Sequence, residues 1–126
     1  MNIKEVSEKT GLSNDTIRYY ERIGLIMPVP RKENHLRDFG QRSINQLNFV
    51  RQMRNAGMSV ERLREYVDMV YEDNDATIPA RKELLSEQAD EMKDRIQQMQ
   101  EAHDHLLYKV NNYDSHMHQA ESRLDK

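Results

Sequence analysis

Thr16-Ile17-Arg18-Tyr19-Tyr20-Glu21-Arg22-Ile23-Gly24-Leu25-Ile26-Met27-Pro28 decides the fold, because one uninterrupted segment joins an amphipathic helix to an expected strand. On a helix through this stretch Ile17 and Tyr20 share a face and can pack inward, whereas Thr16, Arg18, Tyr19 and Arg22 project elsewhere with two cations and several hydrogen-bonding groups. Towards the N-terminus, Ser13 stands where this helix needs a side-chain oxygen for its free N–H groups. Before it Gly11 breaks the pattern, and Ile3 and Val6 sit one turn apart on an earlier helix. The result is a helix, a tight turn and a second helix whose polar face suits a DNA groove.

Beyond this stretch, Leu25-Ile26-Met27 and Leu36-Arg37-Asp38-Phe39 flank Pro28, Pro30 and the polar run Arg31 to His35. That pattern predicts two short strands around a basic loop, a wing that reaches a phosphate backbone with Arg31, Lys32 and Arg37. A third helix is expected from Gln41, with Ile44, Leu47, Phe49 and Val50 mostly inward and Gly57 just past its end. Ser59 then caps a fourth helix, on which Leu63, Val67 and Val70 keep i, i+4, i+7 spacing. Tyr66 and Tyr71 are read as packing or rim residues, with stacking on a ligand as the alternative.

In this order, Arg18-Tyr19-Tyr20, Gly24-Leu25, Pro28, the run Arg31 to Phe39, and Leu47, Arg51, Arg54, Gly57, Ser59 and Leu63 resemble the MerR family of bacterial transcription regulators, from the N-terminus to about Val70. The resemblance implies a mainly α fold: a winged helix-turn-helix domain followed by a long dimerisation helix, paired as an antiparallel coiled coil and packed also against the other subunit's head. It implies binding within the overlong spacer of a promoter, which the dimer distorts so that one bound state represses and another activates RNA polymerase. Family wings carry Asn-Gly at the tip and Tyr at the end; Asn34-His35 and Phe39 stand there, which argues against a tight type I′ turn. The head resembles the aldehyde- and thiol-responsive branch, whose members sense through a Cys in the third helix, between Phe49 and Gly57 in this chain. That stretch holds Gln52 and Met53 and no Cys.

Charge is divided along the chain. Residues 1–64 carry 12 Lys and Arg against 7 Asp and Glu, and residues 65–126 carry 7 against 15, within an overall net charge of -3. A polyanion is therefore expected on the N-terminal half and repelled from the other. With no cysteine there is no disulfide framework, no thiolate metal site and no thiol switch. The effector classes that remain are a small organic ligand, an oxidant or electrophile sensed without thiols, or none. No signal peptide or long apolar run is read in the sequence, so a cytoplasmic protein without membrane partners is expected. No cofactor is expected, nor an enzyme, since there is no Gly-rich phosphate loop, nucleophile elbow or metal cluster.

With 126 residues there is room for about one domain and an appendage. The expected division is a DNA-binding head over residues 1–71, a hinge over residues 72–79 and a coiled-coil rod over residues 80–126. Glu72-Asp73-Asn74-Asp75 breaks the apolar pattern, after which Thr77 can cap and Pro79 can open a new helix. In the rod, Leu85, Ala89, Met92, Ile96, Met99, His103, Leu106, Val110, Tyr113 and Met117 alternate spacings of 4 and 3. Such a heptad stripe would lie in water on a lone helix, and no other segment is long enough to cover it, so a homodimer is expected. The β-branched Ile96 and Val110 are tolerated in either strand polarity. His103 occupies a stripe position, while His105, His116 and His118 lie nearby; residues two apart on a helix point about 200° from each other, so neither His pair can chelate one ion from one face. For these histidines a cross-dimer metal site or a pH-sensitive layer stands against a register-setting His103 with the others solvated, the reading favoured, and Met92 and Met99 are read as core filler before an oxidation sensor.

The expected DNA-binding residues are Ser13, Thr16, Arg18, Tyr19 and Arg22 on the second helix and Arg31, Lys32 and Arg37 on the wing. Thr16 and Arg18 would face bases or phosphates, and Tyr19 would clamp the backbone. Twofold symmetry makes the expected DNA an inverted repeat. The alternative is a coiled-coil protein-interaction module whose basic head binds an acidic partner protein. Retention of an inverted-repeat duplex with a steep salt dependence separates the two.

Overall fold

Helix α1 (Ile3–Thr10) starts where the Asn2 side chain accepts from the Glu5 amide, and it ends at Gly11 with φ 75°. Helix α2 (Asn14–Arg22) starts at Ser13, whose hydroxyl oxygen accepts from the Thr16 amide at 3.1 Å. These belong to a computed structural model that describes residues 1–113 and 118–124. At the end of α2, the Leu25 amide donates to Tyr20 O at 2.9 Å and the Gly24 amide to Glu21 O at 3.2 Å. This Schellman closure needs a left-handed residue, and Gly24 supplies it with φ 82°.

The expected strand does not follow. Leu25 and Ile26 are both buried, so consecutive side chains enter the core, whereas a strand would send alternate ones to opposite faces. The second expected strand, Leu36 to Phe39, is also missing, and the wing reduces to a single antiparallel bridge between Arg31 and Arg37. Pro28 and Pro30 have no N–H to extend a ladder. Between the arms the Lys32 amide donates to Leu36 O at 2.8 Å and the His35 amide to Lys32 O at 2.9 Å. This is a three-residue hairpin loop, with His35 at φ 65° in the left-handed position that usually takes glycine.

Helix α3 (Gln41–Asn55) closes in the same way as α2, with Gly57 at φ 90° and the Met58 amide on Met53 O at 3.0 Å. Helix α4 (Val60–Glu72) is capped by Ser59 and ends at Asp73 in the left-handed region. A single 3-10 turn (Asp75–Thr77) leads directly into α5 (Ile78–Asn111). Asn74 caps this turn, its side chain accepting from the Ala76 amide, and Thr77, expected to cap α5, stands directly before that helix. The Thr77 hydroxyl donates to Asn74 O and accepts from Arg81 Nε.

Contacts divide the chain into two units, Met1–Gln88 and Ala89–Lys126. The first has one core, with Val6 from α1, Ile17 and Tyr20 from α2, Leu25, Ile26, Val29 and Phe39 from the wing region, Ile44, Leu47 and Val50 from α3, and Met58, Leu63 and Val67 around α4. Each such aliphatic or aromatic burial contributes about 1.5–3 kcal/mol. The first turns of α5 join this core through Leu84 and Gln88, one helical turn apart, while Leu85 beside them is exposed.

In the second unit α5 continues to Asn111, and α6 (His118–Leu124) follows. Ile96, Met99, Leu106 and Val110 are all exposed in the single chain, as the heptad stripe requires of an unpaired helix. Within the expected rod, Tyr113 lies past the end of α5. His116 and Met117 lie outside the described residues, as does the His118 side chain.

Candidate nucleic-acid interface

Arg18 and Arg22 are exposed on α2, as its periodicity predicts. Arg18 Nη1 pairs with Asp15 Oδ1 at 3.2 Å, one turn away. An exposed pair of this kind is worth about 0–1 kcal/mol, so a phosphate or a base edge can displace Asp15 at little cost. The Arg22 guanidinium lies 5.3 Å from the centre of the half-buried Tyr19 ring, which holds both side chains against the helix. Ser13 is occupied at the helix end, since its hydroxyl also donates to Thr16 Oγ1 at 2.8 Å. Because the Thr16 hydroxyl accepts there, its own proton is available to an incoming acceptor.

On the wing, Arg31 and Lys32 are exposed, and Arg31 Nη1 donates to His35 O at 2.9 Å, bracing the loop. Leu36 is 64% exposed at the loop's end. Arg37 differs from the other cations. Its side chain is 24% exposed, and its Nε donates to Glu21 Oε1 at 2.6 Å. The other carboxylate oxygen of Glu21 accepts from the Val29 amide, also at 2.6 Å. Burial pushes the Glu21 carboxyl up, but the Val29 amide, the Arg37 guanidinium and the charge of Arg31 together hold it below the usual glutamate range.

The segment linking α2 to the wing is also held from behind. The Tyr71 hydroxyl donates to Leu25 O at 2.7 Å, and the Met27 amide donates to Gln46 Oε1 at 3.0 Å. The Tyr71 phenol is pushed up to about 12 by burial, which outweighs the opposing charge of Arg42; Asp68 adds to the rise. Tyr71 thus ties the end of α4 to the turn after α2, a specific role beyond the packing read from sequence.

The sequence reading therefore placed the cations of α2 and the wing, and the structure brings the two elements together at Glu21, which that reading missed. The available signal is an acidic residue, Glu21, between Arg18 and Arg22 on a helix expected to meet a polyanion. Of the rod residues, His103 Nδ1 lies 3.6 Å from Asp104 Oδ1 in an exposed setting, and among the described residues no three His, Cys, Asp or Glu side chains form a metal site. Among those residues no helix is long and apolar enough to cross a membrane.

Comparison with known proteins agrees with this geometry. Residues 1–70 match the family described as MerR HTH family regulatory protein, and residues 44–108 match that described as MerR, DNA binding. The HTH-type transcriptional regulator AdhR of Bacillus subtilis is 44% identical over 88 residues, which are 70% of this chain and 62% of AdhR. The chain thus aligns with less than two thirds of that relative. The HTH-type transcriptional regulator CueR of Salmonella typhi is 36% identical over 107 residues, covering 85% of this chain and 77% of CueR. A crystal structure of a MerR family transcriptional regulator from Listeria monocytogenes superposes with a TM-score of 0.84 at 50% identity, covering 99% of this chain and 94% of that one. HiNmlR, a MerR family regulator lacking the sensor domain and solved bound to promoter DNA, gives 0.79 at 28% identity over 90% of this chain and 89% of its own. With its arginine-bearing second helix, its wing and its long fifth helix matched in sequence and in fold, the chain belongs to the MerR family of helix-turn-helix regulators.

Proposed function

We propose that this chain is a dimeric, sequence-specific DNA-binding transcription regulator that acts on a promoter by distorting its spacer. The observation that carries this reading is the junction at Glu21, where the basic wing is held against the helix that bears exposed Arg18 and Arg22. In this reading α2 enters a major groove: Arg18 and Thr16 face bases or phosphates, Tyr19 and Arg22 lie along the backbone, and Ser13 holds the helix end that meets it. Arg31, Lys32 and Arg37 contact flanking phosphates. One head neutralises few phosphates, so two heads on an inverted repeat are needed for useful affinity. The stripe of α5, exposed at Leu85, Ala89, Ile96, Met99, Leu106 and Val110 and half-buried at Met92, supplies the antiparallel dimer seam, with His103 setting register and Tyr113 beyond the helix end.

Two recognition helices at a fixed separation must bend or untwist a mismatched duplex, at about 1–6 kcal/mol for smooth bending. That deformation realigns promoter elements for RNA polymerase in the cytoplasm. A small-molecule effector acting between Tyr71 and Ile78 would change output more than occupancy, because Tyr71 is bonded to the turn that follows α2. HiNmlR, solved on promoter DNA, supports the DNA-binding part of this reading. The test shortens the promoter spacer by about two base pairs while keeping both half-sites, a change sized to undo the overlong spacing. Distortion predicts high transcription without the protein and little further activation with it. A shortened promoter that still depends on the protein would refute the mechanism.

A further inference from the structure

The cations and hydroxyls of α2 and the wing do not by themselves explain what keeps these two elements at a fixed separation. Glu21 lies in the last turn of α2 with its side chain 13% exposed. Its two oxygens take one donor each, the Arg37 Nε and the Val29 amide, both at 2.6 Å. One carboxylate thereby joins three segments: the helix, the chain leaving it at Val29, and the returning arm of the wing at Arg37. The charged groups acting on it are Arg37 and Arg31. Beside a site for phosphates a carboxylate is electrostatically unfavourable, because it repels the ligand and neutralises an arginine that could attract it. Its presence there is explained by geometry and not by charge.

We propose that Glu21 is a positioning residue for DNA recognition, fixing the wing at a set distance from α2 and aiming the Arg37 guanidinium. The inference rests on the DNA-binding reading above. A guanidinium held at Nε is left with its terminal nitrogens pointing in one direction, so the wing meets a phosphate already ordered. The clamp then matters most for DNA that fits both elements at once, and least for a duplex held by charge alone.

The experiment first selects an inverted repeat from a random duplex pool with the wild-type chain. Affinities for that repeat and for an unrelated duplex are then measured for wild type, E21Q, R37Q and the double variant. Glutamine keeps the size of Glu21 but offers one good acceptor oxygen for two donors. E21Q is expected to bind the selected repeat about tenfold or more weakly, the scale of losing a buried charge-assisted bond, while the unrelated duplex changes by less than about twofold or binds more tightly through the lost negative charge. The double variant is expected to bind no more weakly than R37Q. In DNA-free protein the Arg37 Nε–H resonance is expected to be protected from solvent exchange in wild type and to lose that protection in E21Q, a signature that a general change of stability would not give. Should E21Q not fold, Glu21→Asp keeps the charge, cannot reach both donors, and is expected to show an intermediate loss on the repeat. Wild-type affinity for the repeat in E21Q or Glu21→Asp, or losses in E21Q and R37Q that multiply in the double variant, would overturn the proposal. A wild-type chain that selects no repeat would instead defeat the DNA-binding reading on which it rests.

Discussion

Replacing Ile96 and Leu106 with glutamate should convert the protein to monomers. In the single chain Ile96 is 66% exposed and Leu106 61% exposed, both on the α5 stripe. Full burial of such a side chain is worth about 1.5–3 kcal/mol, so covering the remaining two thirds of each in a seam contributes roughly 1–2 kcal/mol. A twofold pair has four such positions, giving about 4–8 kcal/mol, or roughly three to six orders of magnitude in the dimer dissociation constant. Glutamates facing one another in the seam act in the same direction, since a desolvated charge without a partner is costly. Sedimentation at micromolar concentration should show a dimer for wild type and a monomer for the double variant. Circular dichroism of the variant should retain the helicity of α1 to α4, whose core does not involve these residues. A double variant that still sediments as a dimer would refute the assignment of this stripe as the seam.

Arg18→Ala should weaken binding to the selected repeat by about 1–3 kcal/mol without altering the fold, measured by gel-shift titration alongside circular dichroism; unchanged affinity would remove Arg18 from the interface. Tyr71→Phe leaves Leu25 O without its donor and should lower stability by about 0.5–1.5 kcal/mol in thermal melts. Because burial pushes the Tyr71 phenol up to about 12, its contribution is fully present below the ordinary tyrosine value near 10 and is lost as pH rises from there through about 12. Ultraviolet titration should find a tyrosine ionising in that upper range, absent from Tyr71→Phe. His35→Gly should stabilise the head by about 0.5 kcal/mol, the balance of relieving a left-handed residue and gaining unfolded-chain entropy. The loop bonds at that position are made by backbone atoms and survive the change; a lower melting temperature would contradict this.

The helices were legible because their ends carry their own chemistry. Ser13 and Ser59 each cap the helix the sequence assigns to them, and Gly57 closes α3. The stripe of α5 is a long periodic signal, and its uncovered side chains follow from it. The wing was misjudged because apolar triplets resemble strands, whereas the real organisation is tertiary: Leu25 and Ile26 follow a Schellman turn into the core, and Phe39 is buried as a core residue. Leu85 stands out in the heptad pattern and Leu84 does not, since that pattern marks the side expected to face a partner and says nothing of the neighbouring side, where Leu84 joins the core. Glu21 was missed for a related reason. Its partners lie 8 and 16 residues away, across a turn whose path local periodicity does not encode.

The most direct test of the account is an equilibrium titration of the wild-type chain against duplexes carrying the selected inverted repeat, one half-site alone, or neither, over a range of salt. The account predicts two chains per repeat and affinity for the repeat about a thousandfold or more above the unrelated duplex, as specific DNA binders show. It also predicts a log–log salt slope of several units from the paired cations of two heads. Equal affinity for all three duplexes, or one chain per repeat, would contradict it.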